Sequence, residues 1–496
     1  RCCRDQASDD PIYLSYAIIM AKSISATDDD DDDGGDGDEE PSASLQEQEK
    51  EKLQILAEQA RLADRGAAEM VLLQFSASNG EKTPVVECTI ELGISLLLGG
   101  NIDVQGKMLA HLQDKRDAGF FTSISGLMAQ CSVLDLDTFE RCNKAEALGV
   151  GMSTDTPGIT NLYDAEFTCK IFRFLQLLTE GHNLAFQDYL RSQDSNTNSV
   201  NIIICTVDYL LRLQESIMDF YWHYCNKDTI DEAGTVNFVR AIRIGKQIFR
   251  SLTEYIQGPC IGNQLALAHS RLWDAIAGFI YIFAHMQDKL SKDPDQLELL
   301  REFMNLQKEM FIMLLSMLEG NVVNGPIGKQ MVDTLVESSA NVEMIVQFFD
   351  IFLRMKDITS SEAFLEYDAN GDGIVSPKEF RRAVETMKTY SNEEIDYIMM
   401  CVDANQDGKV DFNEFTERFH SPAKDIGFNL AVLLTILFEH RPNDPRLERL
   451  VSKAKRVLDV FEDFLGRIEI TGSAGKIERV YFEIRQTHID QWNKPQ

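Results

Sequence analysis

The chain has 496 residues and a net charge of −32, from 48 basic and 80 acidic side chains. That balance argues against a nucleic-acid partner, which needs a basic face, and against anionic lipid as a main contact. The length allows one to four domains.

The chain opens at Arg1 without a methionine and closes at Gln496 with no terminal signal, which reads as a piece of a longer protein. Asp28 to Asp33 is an unbroken acidic run, continued by a Gly, Asp and Glu stretch to Glu40. Such a run cannot bury enough apolar surface to order itself. Residues 28–45 therefore read as a solvated, disordered loop rather than a low-affinity cation sponge. From there the pattern is helix after helix: Gln46 to Phe75, then three short helices from Thr83 to Cys131 broken near Gly99-Gly100 and Gly119. Tyr163 to Leu178, Ser199 to Asn226, Val236 to Ile256, Leu265 to Leu290, Asp295 to Leu318 and Gly328 to Met355 continue it. Apolar residues recur at three and four, as at Ile204, Val207, Leu211 and Ile217. Consecutive helices with short turns stack as antiparallel pairs, so the fold class is mostly α, a bundle or a helical solenoid of armadillo or HEAT-like pairs. No strict sequence period is visible. The ten cysteines show no C-x-x-C spacing and read as reduced, mostly buried thiols. There is no secretory signal, and the longest apolar run, Phe428 to Phe438, is too short to span a bilayer.

Two twelve-residue stretches then carry the clearest chemistry: DANGDGIVSPKE from Asp368 and DANQDGKVDFNE from Asp403. Both fit the EF-hand calcium loop. Ca²⁺ takes six to eight hard oxygens. Asp368, Asn370, Asp372, the Ile374 carbonyl, Ser376 and Glu379 supply them in the first loop. Asp403, Asn405, Asp407, the Lys409 carbonyl, Asp411 and Glu414 supply them in the second. Gly373 and Gly408 sit where each loop turns sharply. The loops start 35 residues apart (403 − 368), the separation of a paired EF-hand. Val375 and Val410 fall where a short two-stranded ribbon can join them. The competing reading is a degenerate fold that binds nothing, but no ligand position is spoiled. Thr359-x-x-Glu362 and Ser391-x-x-Glu394 are capping boxes for the entering helices, and the exiting helices start near Pro377 and Asp411.

Beyond the pair, Asn429 to Glu439 and Arg446 to Leu465 read as helices. Arg467 to Ile470 and Glu478 to Ile484 alternate polar with β-branched and aromatic residues around a Gly-containing turn, which signals a β-hairpin.

Catalytic signals are absent from the sequence. Gly325-Pro-Ile-Gly328-Lys329-Gln330 lacks the leading glycine and the Ser or Thr of a phosphate loop. Gly149-x-Gly151 is a lone pair, Cys and His form no cluster of metal spacing, and His223 reads as a packed helix residue. The chain therefore reads as a non-enzyme.

Several long stretches resemble the central domain of ryanodine receptors. They are RFLQLLTEGH from Arg173, IIICTVDYLLRLQE from Ile202, SLTEYIQGPC from Ser251, LEGNVVNG from Leu318, FHSPAKDIGF from Phe419 and FLGRIEI from Phe464. The resemblance implies a homotetrameric calcium-release channel of the endoplasmic or sarcoplasmic reticulum membrane. This chain would be a cytosolic solenoid above the pore, contacting the channel's own C-terminal and membrane domains. The implied boundaries are a helical core at 1–357, an EF-hand pair at 358–422, a connecting helix at 423–440 and a truncated U-shaped motif with the hairpin at 441–496. The resemblance also implies a second Ca²⁺ site. Its carboxylates map onto Glu180 and Glu254, with His182 and Gln257 behind them and a carbonyl from the C-terminal domain outside this chain. From the residues alone, Glu180 and Glu254 read as an ordinary helix-end and an ordinary helical glutamate. Glu319 reads as a brace at a helix end. The implied function is cytosolic calcium sensing coupled to gating. The alternative is a soluble helical scaffold whose EF-hand pair docks another protein.

Overall fold

The structure is a computed structural model that describes residues 45–147, 161–193, 198–227, 229–290, 296–319, 325–360, 374–375, 381–382, 385, 410–440, 445–459, 465–471 and 477–483. The acidic run at 28–40 and most of the two calcium loops lie outside them. The described chain is overwhelmingly helical and divides into two compact units. The first comprises residues 1–213 and 243–270, the second 214–242 and 271–496.

In the first unit, several helix starts are written in the sequence. Helices α1 (Leu45–Asp64) and α2 (Ala67–Ala77) part at Gly66. Thr83 caps α3 (Pro84–Leu97) by accepting from the Val86 N–H, with Pro84 in the first turn where its missing N–H costs nothing. Asn101 caps α4 (Ile102–Lys115), accepting from Asp103 and Val104, and Asp117 caps α5 (Ala118–Gln130). The break at Gly99-Gly100 stands, with φ of 82° and 71°. The second break is not Gly119, which donates to Asp117 inside the first turn of α5. It is Arg116, in the left-handed region at φ 50°, followed by the capping Asp117. Next come α6 (Leu136–Ala147), α7 (Ala165–Thr179) and α8 (Leu184–Arg191), of which α6 and α8 are too short to stand out by periodicity. The unit boundaries fall within α9 (Ile202–Tyr224) and α10 (Glu232–Ile256), and α11 (Ile261–Ala268) completes the first unit.

Three buried glutamines organise this unit. Gln59 of α1 donates its Nε2 to the carbonyls of Ser95 and Leu98 at the end of α3, at 2.8 and 3.0 Å. Gln105 of α4 does the same for Leu177 and Glu180 at the end of α7, at 2.8 and 2.9 Å. Gln187 of α8 does it for Glu254 and Gln257 at the end of α10, both at 2.8 Å. In each rung the two carbonyls lie three residues apart (98 − 95, 180 − 177, 257 − 254), and a glycine with positive φ follows: Gly99 at 82°, Gly181 at 81°, Gly258 at 106°. A buried carbonyl left without a donor costs about 1–3 kcal/mol, so each rung removes two such penalties from a helix end. The sequence has a repeat after all. It lies in the turns and their clamps, with uneven spacing, and a search for a fixed period passes over it.

The second unit holds α12 (Leu272–Leu290), α13 (Leu297–Leu318), α14 (Gly325–Glu337) and α15 (Ser339–Ser360). Leu265 to Leu290 is therefore two helices, parted at His269–Arg271, and Ser338 parts α14 from α15. Strands β1 (Ile374–Val375) and β2 (Val410–Asp411) pair antiparallel, with Val375 opposite Val410. The ribbon expected between the loops is present. Helix α16 (Phe412–His440) follows without a break. Residues 423–440 form its second part. Pro422 loses one helical bond but does not end it, because Ile426, Leu430, Leu433, Leu434 and Leu437 beyond it are buried. Asp425 on α16 pairs with Lys308 on α13 at 2.9 Å. Helix α17 (Pro445–Asp459) presents Arg449, Lys453 and Arg456 along one face. Glu343 of α15 takes the first two and Asp350 the third. Strands β3 (Leu465–Thr471) and β4 (Ile477–Glu483) pair antiparallel, Leu465 opposite Glu483 and Thr471 opposite Ile477.

Cys88, Cys131, Cys169, Cys205, Cys225 and Cys260 are free thiols, and of these six Cys131 and Cys260 are buried. Cys205 and Cys225 are half-buried and Cys88 is exposed, so the expectation of mostly buried thiols is too strong. His223 is half-buried, edge-on to Tyr224, with Lys227 2.6 Å from its Nε2. Among the described residues, no helix is long and apolar enough to cross a membrane.

Candidate metal centres

Glu180 and Glu254 lie at the ends of α7 and α10, in the second and third rungs of the first unit. Helix α7 stops because Glu180 leaves helical geometry at ψ 136° and two left-handed residues follow, Gly181 and His182 (φ 62°). Asn183 then restarts the chain as the cap of α8, accepting from the Phe186 N–H at 3.2 Å. Helix α10 stops before Gly258, which packs directly on His182. A Cβ built there would sit 2.9 Å from the His182 Cβ. Glycine is thus required twice at 258, by its φ and by this contact. On the other side, Gly100 leaves room for Glu180, whose Cγ would lie 3.7 Å from a Cβ at that position. The three turns therefore sit in a row, with Glu180 beside the first and His182 against the third.

The electrostatics are those of two acids held close in partial burial. Burial and the Glu180 charge both push the Glu254 carboxyl above its ordinary range. His182, Arg173 and the Gly181 backbone N–H pull it partway back. One oxygen of each carboxylate, Glu180 Oε2 and Glu254 Oε2, is buried with no hydrogen-bond partner. The Arg173 guanidinium stands 3.6 Å from Glu180 Oε2, beyond hydrogen-bond reach. A buried carboxylate oxygen without a donor is costly, and a hard cation is the species that would satisfy two at once. His182 is exposed and Gln257 is half-buried. Among the described residues, no three His, Cys, Asp or Glu side chains are grouped to hold a metal ion. The pair needs carbonyls, water or a further protein element to complete a Ca²⁺ shell.

For the two loops, the structure describes the Ile374 and Asp411 backbone in the ribbon and places Glu414 in the first turn of α16. Asp368, Asn370, Asp372, Ser376, Glu379, Asp403, Asn405, Asp407 and Lys409 lie outside the described residues. Glu319 closes α13 as its C-cap and is exposed.

The residues that sequence reading missed are the clamps Gln105 and Gln187, with Asn183 between them. A signal for them exists. Asn101-x-x-x-Gln105 and Asn183-x-x-x-Gln187 each follow a glycine turn, so helix cap and clamp recur at the same spacing of four.

Similarity to known proteins follows this division. The EF-hand domain pair family matches residues 361–419. Polcalcin Nic t 2 of Nicotiana tabacum is 40% identical over 63 residues, 12% of this chain and 73% of that protein. The chain belongs to the EF-hand family. It also carries a RyR and IP3R Homology associated domain at residues 163–280, a span that includes Glu180, His182, Glu254 and Gln257. The inositol 1,4,5-trisphosphate receptor itr-1 of Caenorhabditis elegans is 35% identical over 98 residues, 20% of this chain and 3% of that receptor. Calcium-binding protein LPS1-alpha of Lytechinus pictus is 39% identical over 62 residues, 12% of this chain and 19% of that protein. The chain thus spans only a small part of the latter two relatives. The two matched families are receptor and calcium-binding domains, and neither is enzymatic. The EF-hand pair is a Ca²⁺-binding module.

Proposed function

We propose that this chain is the cytosolic calcium-sensing and gating-coupling region of a ryanodine-receptor-type calcium-release channel. It acts in a homotetramer at the endoplasmic or sarcoplasmic reticulum membrane. On this reading the first unit belongs to a helical solenoid. Strands β3 and β4 are part of the U-shaped motif that engages the channel's C-terminal domain.

The observation that carries the reading is the Glu180–Glu254 pair. Two helix ends inside the receptor-homology span hold two partly buried carboxylates whose charges repel, each with one oxygen that accepts no hydrogen bond. Such a pair is stable when a cation lies between the carboxylates and strained when none does. The cation therefore favours whichever channel conformation brings the remaining ligand to the pair. The shift is bounded by its differential affinity for the two states. His182 and Gln257 stand behind the carboxylates.

The loops are a second sensor. Asp368, Asn370, Asp372, the Ile374 carbonyl, Ser376 and Glu379 hold one Ca²⁺. Asp403, Asn405, Asp407, the Lys409 carbonyl, Asp411 and Glu414 hold another. Their output runs along α16. Glu414 stands in its first turn, and the same helix carries the buried leucines and the Asp425–Lys308 pair of the second unit. Movement of Glu414 on closing the loop is thereby delivered to a packed core, and the loops modulate gating at higher Ca²⁺.

Single-channel recording of the full-length protein across a Ca²⁺ series tests the reading. Glu180→Ala or Glu254→Ala should move activation to Ca²⁺ concentrations about tenfold higher or more, as expected for one lost carboxylate ligand, with EF-hand binding intact. An unchanged activation curve in both variants overturns it.

A further inference from the structure

We propose that Gln105 and Gln187 are positioning residues that set the separation of the Glu180 and Glu254 carboxylates. The proposal rests on the reading that this pair binds Ca²⁺. The two acids are 74 residues apart in sequence (254 − 180), yet one short path of hydrogen bonds joins their backbones. The Glu180 carbonyl accepts from Gln105 Nε2 at 2.9 Å. The Oε1 of that carboxamide accepts from Asn183 Nδ2 at 3.0 Å. Asn183 caps α8, and one helical turn later on α8 stands Gln187. Its Nε2 donates to the Glu254 carbonyl at 2.8 Å. Both carboxylate residues are thus pinned to the first turn of α8, one through Asn183 and Gln105, the other through Gln187.

The clamps are built for rigidity. Gln105 is fully buried and Gln187 is 1% exposed, so water does not compete for their donors. Both Nε2 donors of each are spent on carbonyls three residues apart, which fixes the carboxamide plane as well as its distance. The third rung is braced again by Asn263, whose Nδ2 donates to the Gln187 and Tyr255 carbonyls at 2.9 and 2.8 Å. Ca²⁺ affinity depends on ligand number and on how rigidly the ligands are held. Here rigidity comes from the rungs, because neither glutamate side chain has a donor fixing its orphaned oxygen.

The first rung is an internal control. Gln59 makes the same two bonds, to Ser95 and Leu98. Leu98 stands where the second rung has Glu180, and Ser95 where the third has Glu254. The clamp is therefore a general device of this unit, and only rungs two and three carry acids. Substituting Gln59 removes the same pair of donors at a rung that carries no acid.

The test uses the full-length protein with both EF-hand loops disabled by Glu379→Gln and Glu414→Gln. The readouts are the Ca²⁺ midpoint of channel opening and the thermal midpoint of unfolding. Gln187→Met and Gln59→Met keep side-chain length and remove the donors. Both should lower the thermal midpoint by similar amounts. Only Gln187→Met should raise the Ca²⁺ midpoint, about tenfold or more, with Gln59→Met within twofold of the parent. Asn183→Ser is the milder variant. It keeps a cap for the Phe186 N–H but loses the donor to Gln105, and should raise the Ca²⁺ midpoint about threefold. Equal midpoint shifts in the Gln59 and Gln187 variants overturn the proposal, since the rungs then act through stability alone. An unmoved midpoint in both Gln187→Met and Asn183→Ser overturns it as well. Failure of the underlying reading looks different: Glu180→Ala and Glu254→Ala would then leave opening unchanged.

Discussion

The EF-hand loops and the Glu180–Glu254 pair place acidic oxygens by opposite means. On the proposed reading each loop draws its ligand set from twelve consecutive residues, and among the described residues the Val375–Val410 ribbon joins the two. The pair draws one acid from each of two helix ends, and what brings them together is tertiary: two rungs, their glycine turns and the contact of His182 with Gly258. A site written in one loop keeps its ligands when its surroundings move. A site assembled from separate helices loses them, so its affinity reports the state of the helices. The first design suits a sensor that reads concentration. The second suits one whose binding and conformation are the same event.

The largest effect that can break this comparison is loss of the loop ligands that close each shell. Glu379→Gln with Glu414→Gln removes the two-oxygen ligand from both loops and should weaken their Ca²⁺ binding by ~100-fold or more. The second loop has four acidic ligands against three in the first (Asp403, Asp407, Asp411 and Glu414; Asp368, Asp372 and Glu379). Calorimetry on the single variants should therefore show Glu414→Gln removing the tighter site. Opening at low Ca²⁺ should persist in the double variant while the response at high Ca²⁺ changes. Loss of low-Ca²⁺ opening would make the loops the primary sensor and reverse the assignment.

This contrast also explains what could be read from sequence. The EF-hand pair was legible because its chemistry is local, and so were most helix bodies. The β1–β2 ribbon followed from loop position alone. Helix ends were less legible. Gly119 looked like a break, yet Arg116 is the residue that turns, because a left-handed arginine carries no sequence signature comparable to glycine's. Pro422 looked like a boundary, yet the buried leucines beyond it carry α16 through. The carboxylate pair was visible only through family resemblance, since nothing in Thr-Glu-Gly-His or Leu-Thr-Glu-Tyr tells one helix end where the other lies. The rungs were invisible for the same reason. A buried Gln is indistinguishable from a surface Gln until the helix it clamps is in place.

A smaller effect follows from the turn stack. Gly258→Ala forces a Cβ into left-handed backbone and against His182. It should cost about 1–3 kcal/mol of stability and raise the Ca²⁺ midpoint of opening. Gly181→Ala provides the comparison. It carries the same backbone strain at φ 81°, but a Cβ there meets nothing within 4 Å. Thermal unfolding should rank Gly258→Ala below Gly181→Ala. Equal losses would mean that the His182 contact adds nothing, and that the stacked turns do not constrain the pair.

The smallest effect is the most specific to the pair. Burial and the Glu180 charge raise the Glu254 carboxyl above 4.5, so the folded protein holds that proton more tightly than the unfolded chain. The stability this contributes is fully present below the unfolded value and is lost as pH rises through the raised folded value. In a calcium chelator, wild-type protein should therefore lose thermal stability across the window that begins near pH 4.5 and extends upward. Glu254→Gln, which cannot ionise, should show a flatter profile and unfold about 2 °C higher at neutral pH. Saturating Ca²⁺ should reverse the order, since it stabilises only a protein that still has both carboxylates. The readout is a set of thermal melts of both proteins from pH 4 to 7.5, with and without Ca²⁺, on the background with disabled loops. If Ca²⁺ raises the two melting temperatures equally, the orphaned oxygens of Glu180 and Glu254 do not meet the cation. The repulsion would then be a cost borne by the fold, with no part in sensing.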